Sequence, residues 1–208
     1  MKQKSFLSCI MLLLILVFLA AGCSQRKPMQ NNQNQDIQVN NAEPNNPEVY
    51  ASIKDPIRKI HNTLSIVMPS DWKEIAVGTM ITYLPKDSEA ADPLSEKVVV
   101  VVSFKNEQDV RMPLKEMAEK GINDMKSMLP DITLTSQDET AKLAGLDAIK
   151  FIFTASIQGK MLEYTQINAK KNNIVYGIMH SCIKGECKYT DIYNDMVSSF
   201  KTIDYIQT

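Results

Sequence analysis

The amino-acid sequence predicts an α+β fold in which an antiparallel β-sheet is flanked by helices. Five consecutive valines are typical of a strand buried in the middle of a sheet. Apolar and polar residues that alternate on both sides of a glycine turn indicate a long hairpin, and two other segments repeat apolar residues every three or four positions, as amphipathic helices do. The order of strands, helix, three-stranded meander and closing helix is that of a layered α+β domain.

The strands predicted before the first helix are short. Residues 64–67 form the first, and a Pro-Ser-Asp turn at 69–71 ends it before Trp72, a predicted packing residue. Residues 80–83 form the next strand. The valines at 98–102 leave no polar position, so this strand is expected to be covered on both faces and to lie centrally in the sheet.

The first helix is predicted to begin at Pro113 and to stop at Pro130, because proline suits a first helical turn and does not continue a helix. One face of this helix is apolar and is expected to cover the sheet, with methionine filling gaps in the core rather than binding a soft metal. That face comprises Leu114, Met117, Ala118, Gly121, Met125 and Met128.

The second half of the domain is predicted to be a three-stranded meander followed by a helix. Residues 149–157 and 161–169 form a hairpin around a Gln158-Gly159 turn, and a further turn leads to a third strand at 174–180. The closing helix is indicated by apolar residues at helical spacing, namely Tyr189, Ile192, Tyr193, Met196, Val197 and Phe200.

These segments resemble the PsbP/DcrB-like superfamily of small extracytoplasmic domains. The resemblance is carried by Leu-Ser-Ile-Val-Met-Pro-Ser-Asp-Trp at 64–72, by the Gln158-Gly159 turn of the hairpin, and by Met-Val-Ser-Ser-Phe-Lys at 196–201. It spans roughly residues 60–203 and implies an α/β/α sandwich. Members of the superfamily serve different roles, so the resemblance implies a fold and no particular chemistry.

The start of the chain, residues 1–22, is predicted to be a lipoprotein signal peptide. A basic beginning is followed by an apolar stretch at 6–21, which is shorter than the roughly 20 residues that a membrane-spanning helix needs. Leu-Ala-Ala-Gly-Cys at 19–23 resembles the lipobox of bacterial lipoproteins, which implies cleavage before Cys23 and fatty acyl chains such as palmitate on that residue. The alternatives are an uncleaved transmembrane anchor or an ordinary secretory signal.

Residues 23–49 are predicted to be the lipidated N-terminus and a disordered linker, and residues 50–208 a single folded domain. Residues 30–46 include 11 Asn or Gln, and they have too few apolar side chains to offset the entropy lost on folding. Through this linker, an acylated Cys23 would hold the domain on membrane lipid in the cell envelope, facing outside the cytoplasm.

The charge balance argues against a nucleic-acid partner. The whole chain has 23 Lys plus Arg and 24 Asp plus Glu, and removal of the signal leaves 21 basic and 24 acidic side chains. A domain that binds nucleic acid normally shows clustered basic residues and a high isoelectric point. The mature chain is weakly acidic instead.

Cys182 and Cys187 are predicted to form a disulfide, because an exported protein meets oxidising conditions. Four residues separate the two cysteines in the loop between the last strand and the last helix. The alternative is a zinc or copper site made by His180, Cys182 and Cys187, whose nitrogen and sulfur atoms are suitable ligands. Structural zinc takes a fourth ligand, and the sequence indicates none beside these three.

The protein is predicted to be a non-enzymatic binding or accessory module without a cofactor. His61 and His180 are the only histidines, and neither has an acidic residue at a recognisable catalytic spacing. Motifs of the Gly-x-Ser-x-Gly and His-Glu-x-x-His types do not occur. The expected partner is an unidentified envelope component. The alternatives are a small ligand or metal bound near His180, or a hydrolase whose site is scattered along the chain.

Overall fold

The computed structural model describes residues 50–105, 111–129 and 131–203. The predicted signal peptide, the lipidation site Cys23 and the linker lie outside the described residues, as does Pro130, so these parts of the sequence interpretation stay predictions. Within the described ranges, no helix is both long enough and apolar enough to cross a membrane.

The described part of the chain contains two helices and eleven strands. The helices are α1 (Leu114–Met128) and α2 (Thr190–Ser199). In chain order the strands are β1 (Pro56–His61), β2 (Leu64–Pro69), β3 (Lys73–Val77), β4 (Met80–Leu84), β5 (Lys97–Phe104), β6 (Thr133–Asp138), β7 (Lys142–Leu143), β8 (Leu146–Ile157), β9 (Lys160–Lys171), β10 (Ile174–Ile183) and β11 (Lys201–Thr202).

The described strands form two sheets. The main sheet has the strand order β3-β4-β5-β10-β9-β8-β6, and β7 pairs with β8 beside it. The smaller sheet has the order β1-β2-β11. Every described pairing is antiparallel, which confirms the predicted α+β fold with an antiparallel sheet.

Two large apolar cores lie on opposite faces of the main sheet, and a third, small cluster includes Met80. On one face, α1 contributes Ala118, Ile122 and Met125, which pack against apolar side chains of β8 and β9. On the other face, α2 contributes Tyr193 and Met196, which share a core with apolar residues of both sheets. The main sheet is therefore covered on both faces, and the α/β/α arrangement that the resemblance implied is present, with the small sheet added beside α2.

β5 lies inside the main sheet, between β4 and β10, as predicted. Its valines alternate between the two faces of the sheet: Val98, Val100 and Val102 join the core on the α2 side, and Val99 and Val101 pack with Met80 in a small cluster on the opposite face. All five are at most 8% exposed. A strand that has neighbours on both edges and layers on both faces can be apolar throughout, which explains the run of valines.

α1 follows the predicted pattern with two differences. The helix begins at Leu114, so Pro113 is its N-cap residue rather than part of its first turn. Ile122, which the predicted apolar face leaves out, is buried between Ala118 and Met125 in the same core. The position of Met125 in this core agrees with the predicted use of methionine as a packing residue.

β8 and β9 form the predicted hairpin, and each strand has 12 residues. Gln158 and Gly159 connect the strands with φ angles of 53° and 75°. Two consecutive positive φ angles are typical of a type I′ turn, whose twist matches that of the flanking strands, and glycine adopts such an angle without steric cost. β10 completes the meander and continues past residue 180, its predicted end, to Ile183.

Candidate functional site

His180 and Cys182 lie two residues apart on β10, so their side chains face the same side of the main sheet, the side covered by α2. Both residues are buried, with exposures of 3% and 2%. The His180 ring stacks on Tyr193 of α2, with ring centroids 5.3 Å apart and 19° between the ring planes. Packing between β10 and α2 therefore orients the imidazole.

Glu96 supplies the polar partner of His180. It directly precedes β5, and its Oε1 atom lies 2.8 Å from His180 Nε2. The same carboxylate accepts hydrogen bonds from the backbone N–H groups of Lys188 and Tyr189, at 3.0 and 2.8 Å. These donors stand at the start of α2, where unpaired N–H groups and the helix dipole favour an anion.

The hydrogen bonds to Glu96 stabilise its ionised form. Burial by itself raises the pKa of this carboxyl group. The hydrogen bonds from His180, Lys188 and Tyr189, together with the charge of His180, outweigh burial and hold the pKa of Glu96 below its ordinary value. Glu96 is therefore a charged cap on α2 that also ties the helix to β10.

The sulfur atoms of Cys182 and Cys187 are at disulfide-bonding distance, and the two Cα atoms are 5.2 Å apart. This Cα separation is within the range that a disulfide requires. Cys182 is part of β10 and not of the loop in which the sequence pattern places it, whereas Cys187 lies in the connection before α2. The geometry supports the predicted disulfide, which would join the end of β10 to the start of α2.

Replacing Cys182 and Cys187 together with serine is expected to lower the free energy of unfolding by about 2 kcal/mol. The effect is modest because the disulfide closes a short loop and so removes little entropy from the unfolded chain. Urea unfolding followed by circular dichroism measures the change, with reduced wild-type protein as the comparison. Equal stability of the oxidised wild type, the reduced wild type and the double variant would contradict the prediction.

Glu96, His180 and Cys182 also form a group of possible metal ligands. Their donor atoms all lie within 4.8 Å of one another. The sequence pattern indicates His180, Cys182 and Cys187 as a set but misses Glu96, which is 84 residues away from His180 along the chain. Pairing of β5 with β10 brings Glu96 to the site, and no local spacing could have indicated it.

His61 belongs to a different cluster. Its Nε2 atom lies 3.0 Å from the hydroxyl oxygen of Tyr83 and 3.9 Å from Glu74. Burial lowers the pKa of His61, and the negative charge of Glu74 offsets only part of this effect. These contacts join β1 of the small sheet to β3 and β4 of the main sheet, so packing of the two sheets accounts for the position of His61.

Trp72 packs close to the start of α2. Its ring meets Tyr189 edge-to-face, with centroids 5.3 Å apart and an interplanar angle of 77°. The residue is 8% exposed and belongs to the core shared by α2 and both sheets. This agrees with its predicted role as a packing residue.

Ser181 and Lys97 are a potential nucleophile and a potential base on neighbouring strands. They are paired across β10 and β5, the hydroxyl oxygen of Ser181 makes no hydrogen bond within the described structure, and burial lowers the pKa of Lys97. Some hydrolases do use a serine with a lysine base. Ser181 is only 2% exposed, however, so a substrate does not reach it. The pair lends no support to the hydrolase alternative.

An open cavity of about 620 Å³ lies at the other end of α2. Residues of the β7–β8 turn form one side, and the end of α2 and β11 form the other. Its lining comprises Lys142, Ala144, Gly145, Val197, Ser198, Phe200, Lys201 and Thr202. These residues are separate from the cluster around His180, so the cavity does not support a small ligand bound near His180.

Solved structures resemble the chain at low sequence identity. LpqN of Mycobacterium tuberculosis, described as involved in cell envelope biogenesis, has 16% identity and a TM-score of 0.53 over 72% of this chain and 90% of LpqN. Cyanobacterial PsbP (CyanoP) from Synechocystis sp. PCC 6803 has 11% identity and a TM-score of 0.53 over 71% of this chain and 92% of that chain. No protein-family model and no curated protein matches the sequence.

A protein from Bacteroides thetaiotaomicron has 14% identity and a TM-score of 0.46. The match covers 68% of this chain and 45% of the other chain. That likeness is too weak to support an inference. The similarities to LpqN and CyanoP cover most of both chains in each pair, and at such identities they show the fold alone. The chain therefore has a PsbP-like fold, in agreement with the resemblance at 64–72 and 196–201.

Proposed function

We propose that this protein is a lipid-anchored, non-enzymatic accessory module of the cell envelope. The observation that carries the proposal is a PsbP-like domain that follows a lipobox-like sequence ending at Cys23. LpqN, which has the same fold, is described as involved in cell envelope biogenesis. We infer by analogy that the present domain also acts outside the cytoplasm, on or with another envelope component.

The proposed anchor rests on the chemistry of Cys23. One acyl chain gives only marginal and reversible membrane binding, whereas the two or three chains of a bacterial-type lipoprotein make attachment durable. About 27 residues separate Cys23 from Tyr50. As a flexible coil they would span roughly 25 to 30 Å, which is enough to hold a small domain clear of the lipid head groups.

An accessory role agrees with the way in which the described polar clusters are used. Glu96 and His180 connect β5, β10 and the start of α2. His61, Tyr83 and Glu74 connect the two sheets. Both clusters hold layers of the domain together, and such connections make rigid the surface that an accessory module presents to a partner.

Replacing Cys23 with serine is expected to release the protein from the membrane fraction and to abolish its acylation. Intact-protein mass spectrometry of wild-type material should give the mass of residues 23–208 plus acyl chains. The double variant Cys182→Ser, Cys187→Ser is the matched control and should keep its acyl chains. The proposed anchor would be wrong if the wild type had the mass of the full-length, unlipidated chain and the Cys23→Ser variant stayed in the membrane fraction.

A photo-cross-linking amino acid placed at exposed apolar positions tests the accessory role. Val77, Phe104 and Met161 are 54%, 58% and 46% exposed, and they lie on three separate strands. We expect one particular envelope protein to be captured, in repeated experiments, from at least one of these positions. Its yield should fall when Cys23→Ser is added. Absence of any capture from all three positions, or capture that ignores the loss of the anchor, would count against the proposal.

A further inference from the structure

We propose that Glu96, His180, Cys182 and Cys187 form a zinc site that becomes available when the disulfide between the two cysteines is reduced. This inference goes beyond the accessory role and does not depend on it. Three of the ligands are close together in the sequence, and the structure adds the fourth, Glu96.

The four residues supply the number and the types of ligand that a closed zinc site requires. Zinc takes four ligands in a tetrahedron, from thiolate sulfur, imidazole nitrogen and carboxylate oxygen, at bond lengths of about 2.0 to 2.3 Å. The donor atoms of Glu96, His180 and Cys182 are within 4.8 Å of one another, and the sulfur of Cys187 contacts that of Cys182. Cys187 lies outside this 4.8 Å group, so after reduction its side chain has to turn towards the other three donors to complete the site.

Neighbouring groups already hold two of the ligands in place. Tyr193 stacks on the His180 ring. The N–H groups of Lys188 and Tyr189 hold the Glu96 carboxylate at the start of α2. Metal sites depend on outer contacts of this kind, because they orient the ligands and tune the affinity for the ion.

In the oxidised protein these donor atoms bond to one another rather than to an ion. The disulfide consumes both sulfurs, and Glu96 Oε1 pairs with His180 Nε2 at 2.8 Å. Zinc binds the thiolate form of cysteine, so the disulfide removes two of the four ligands. Glu96 and His180 by themselves do not make a closed site.

Reduction by a dithiol restores the missing ligands. Thiol–disulfide exchange passes two electrons and two protons to the protein, which gains two thiols, while the dithiol becomes a disulfide. Cys187 is the more exposed of the two residues, so attack on its sulfur releases Cys182 as a thiolate beside His180. Zinc then binds both thiolates with release of the two thiol protons, together with the Glu96 carboxylate and His180 Nε2, which releases to solvent the proton that it shared with Glu96.

The experiment uses the full chain in detergent with zinc chloride, and it exploits the presence of only two histidines. Imidazole nitrogen signals are recorded by NMR in the oxidised protein and after reduction with a phosphine, which does not supply a competing thiol. His61→Gln assigns the two sets of signals. We expect one equivalent of zinc to shift the His180 signals in the reduced protein only, and to leave the His61 signals unchanged.

Zinc affinity of variants gives the second measurement. Glu96→Gln should weaken binding to the reduced protein by at least about tenfold, since even changes to residues that merely orient a ligand cost about 10- to 100-fold. Glu139→Gln, at an exposed ion pair with Lys115, is the matched control and should leave the affinity unchanged. If Glu96→Gln fails to fold, the histidine signals of the wild type still show whether His180 binds the zinc ion.

Three results would overturn the proposal. Absence of zinc binding by the reduced protein would remove the site. Equal zinc affinity of the oxidised and reduced forms would show that the disulfide does not control zinc binding. Binding that leaves the His180 signals and the affinity of Glu96→Gln unchanged would show that the two thiols act without the other ligands.

Discussion

Replacing Phe200 with alanine is expected to lower the free energy of unfolding by about 3 to 5 kcal/mol, the usual loss for a large aromatic residue in a core. Phe200 is 2% exposed, and its ring packs edge-to-face on Tyr176 with centroids 5.9 Å apart. It follows the last turn of α2 and directly precedes β11. The cavity left by alanine would lie where α2 and the two sheets meet.

Urea unfolding followed by circular dichroism measures this effect. Phe200→Leu retains most of the side-chain volume and should cost about 1 kcal/mol. Phe104→Ala is the matched control, because Phe104 is 58% exposed at the end of β5, and it should change stability by no more than about 0.5 kcal/mol. If Phe200→Ala and Phe104→Ala had equal effects, the assignment of Phe200 to the core would be wrong.

Replacing Glu96 with alanine is expected to cost about 3 kcal/mol, because it leaves His180 Nε2 and two N–H groups at the start of α2 without their acceptor. Glu96→Gln keeps the size of the side chain but removes its charge. We expect it to lower the free energy of unfolding by roughly half as much as the alanine replacement does. Glu139→Ala removes an exposed partner of Lys115 and should have little effect. Equal effects of the alanine variants at Glu96 and Glu139 would contradict the role of Glu96.

The contribution of Glu96 should also depend on pH in one direction. Burial raises the pKa of Glu96, but its hydrogen bonds leave the pKa lower in the folded protein than in the unfolded chain. The stabilisation is therefore complete above the ordinary glutamate pKa of about 4.3 and is lost as pH falls through the folded pKa. In the presence of a metal chelator, the difference in stability between wild type and Glu96→Gln should shrink in acid. A difference that persists throughout the acid range would contradict this.

The elements that the sequence predicts are those whose burial follows a regular period. β5 is covered on both faces, α1 buries one repeating set of residues, and β8 and β9 bury apolar side chains in the cores on both sides of the sheet. β1, β3 and β6 contain no fully buried residue: the side chains of β1 alternate between exposed and half-buried, and most side chains of β3 and β6 are exposed, among them Ile75 and Val77. These three strands lie at sheet edges and are defined by pairing with β2, β4 and β8.

The two-residue strands β7 and β11 were likewise beyond prediction. β11 exists because Lys201 and Thr202 reach the backbone of β2, which lies more than 130 residues earlier in the chain. A segment so short carries no periodicity of its own. Its conformation depends on α2, whose end places Lys201 and Thr202 beside the small sheet.

The candidate site divides in the same way. The layered fold, the lipobox-like residues ending at Cys23 and the grouping of His180, Cys182 and Cys187 are predictable from the sequence, because periodicity and short spacings are local properties of the chain. The contact of Glu96 with His180, and with the N–H groups of Lys188 and Tyr189 just before α2, arises only when the chain is folded. Strand pairing is the cause, because hydrogen bonds join β5 and β10, two segments that are far apart in sequence.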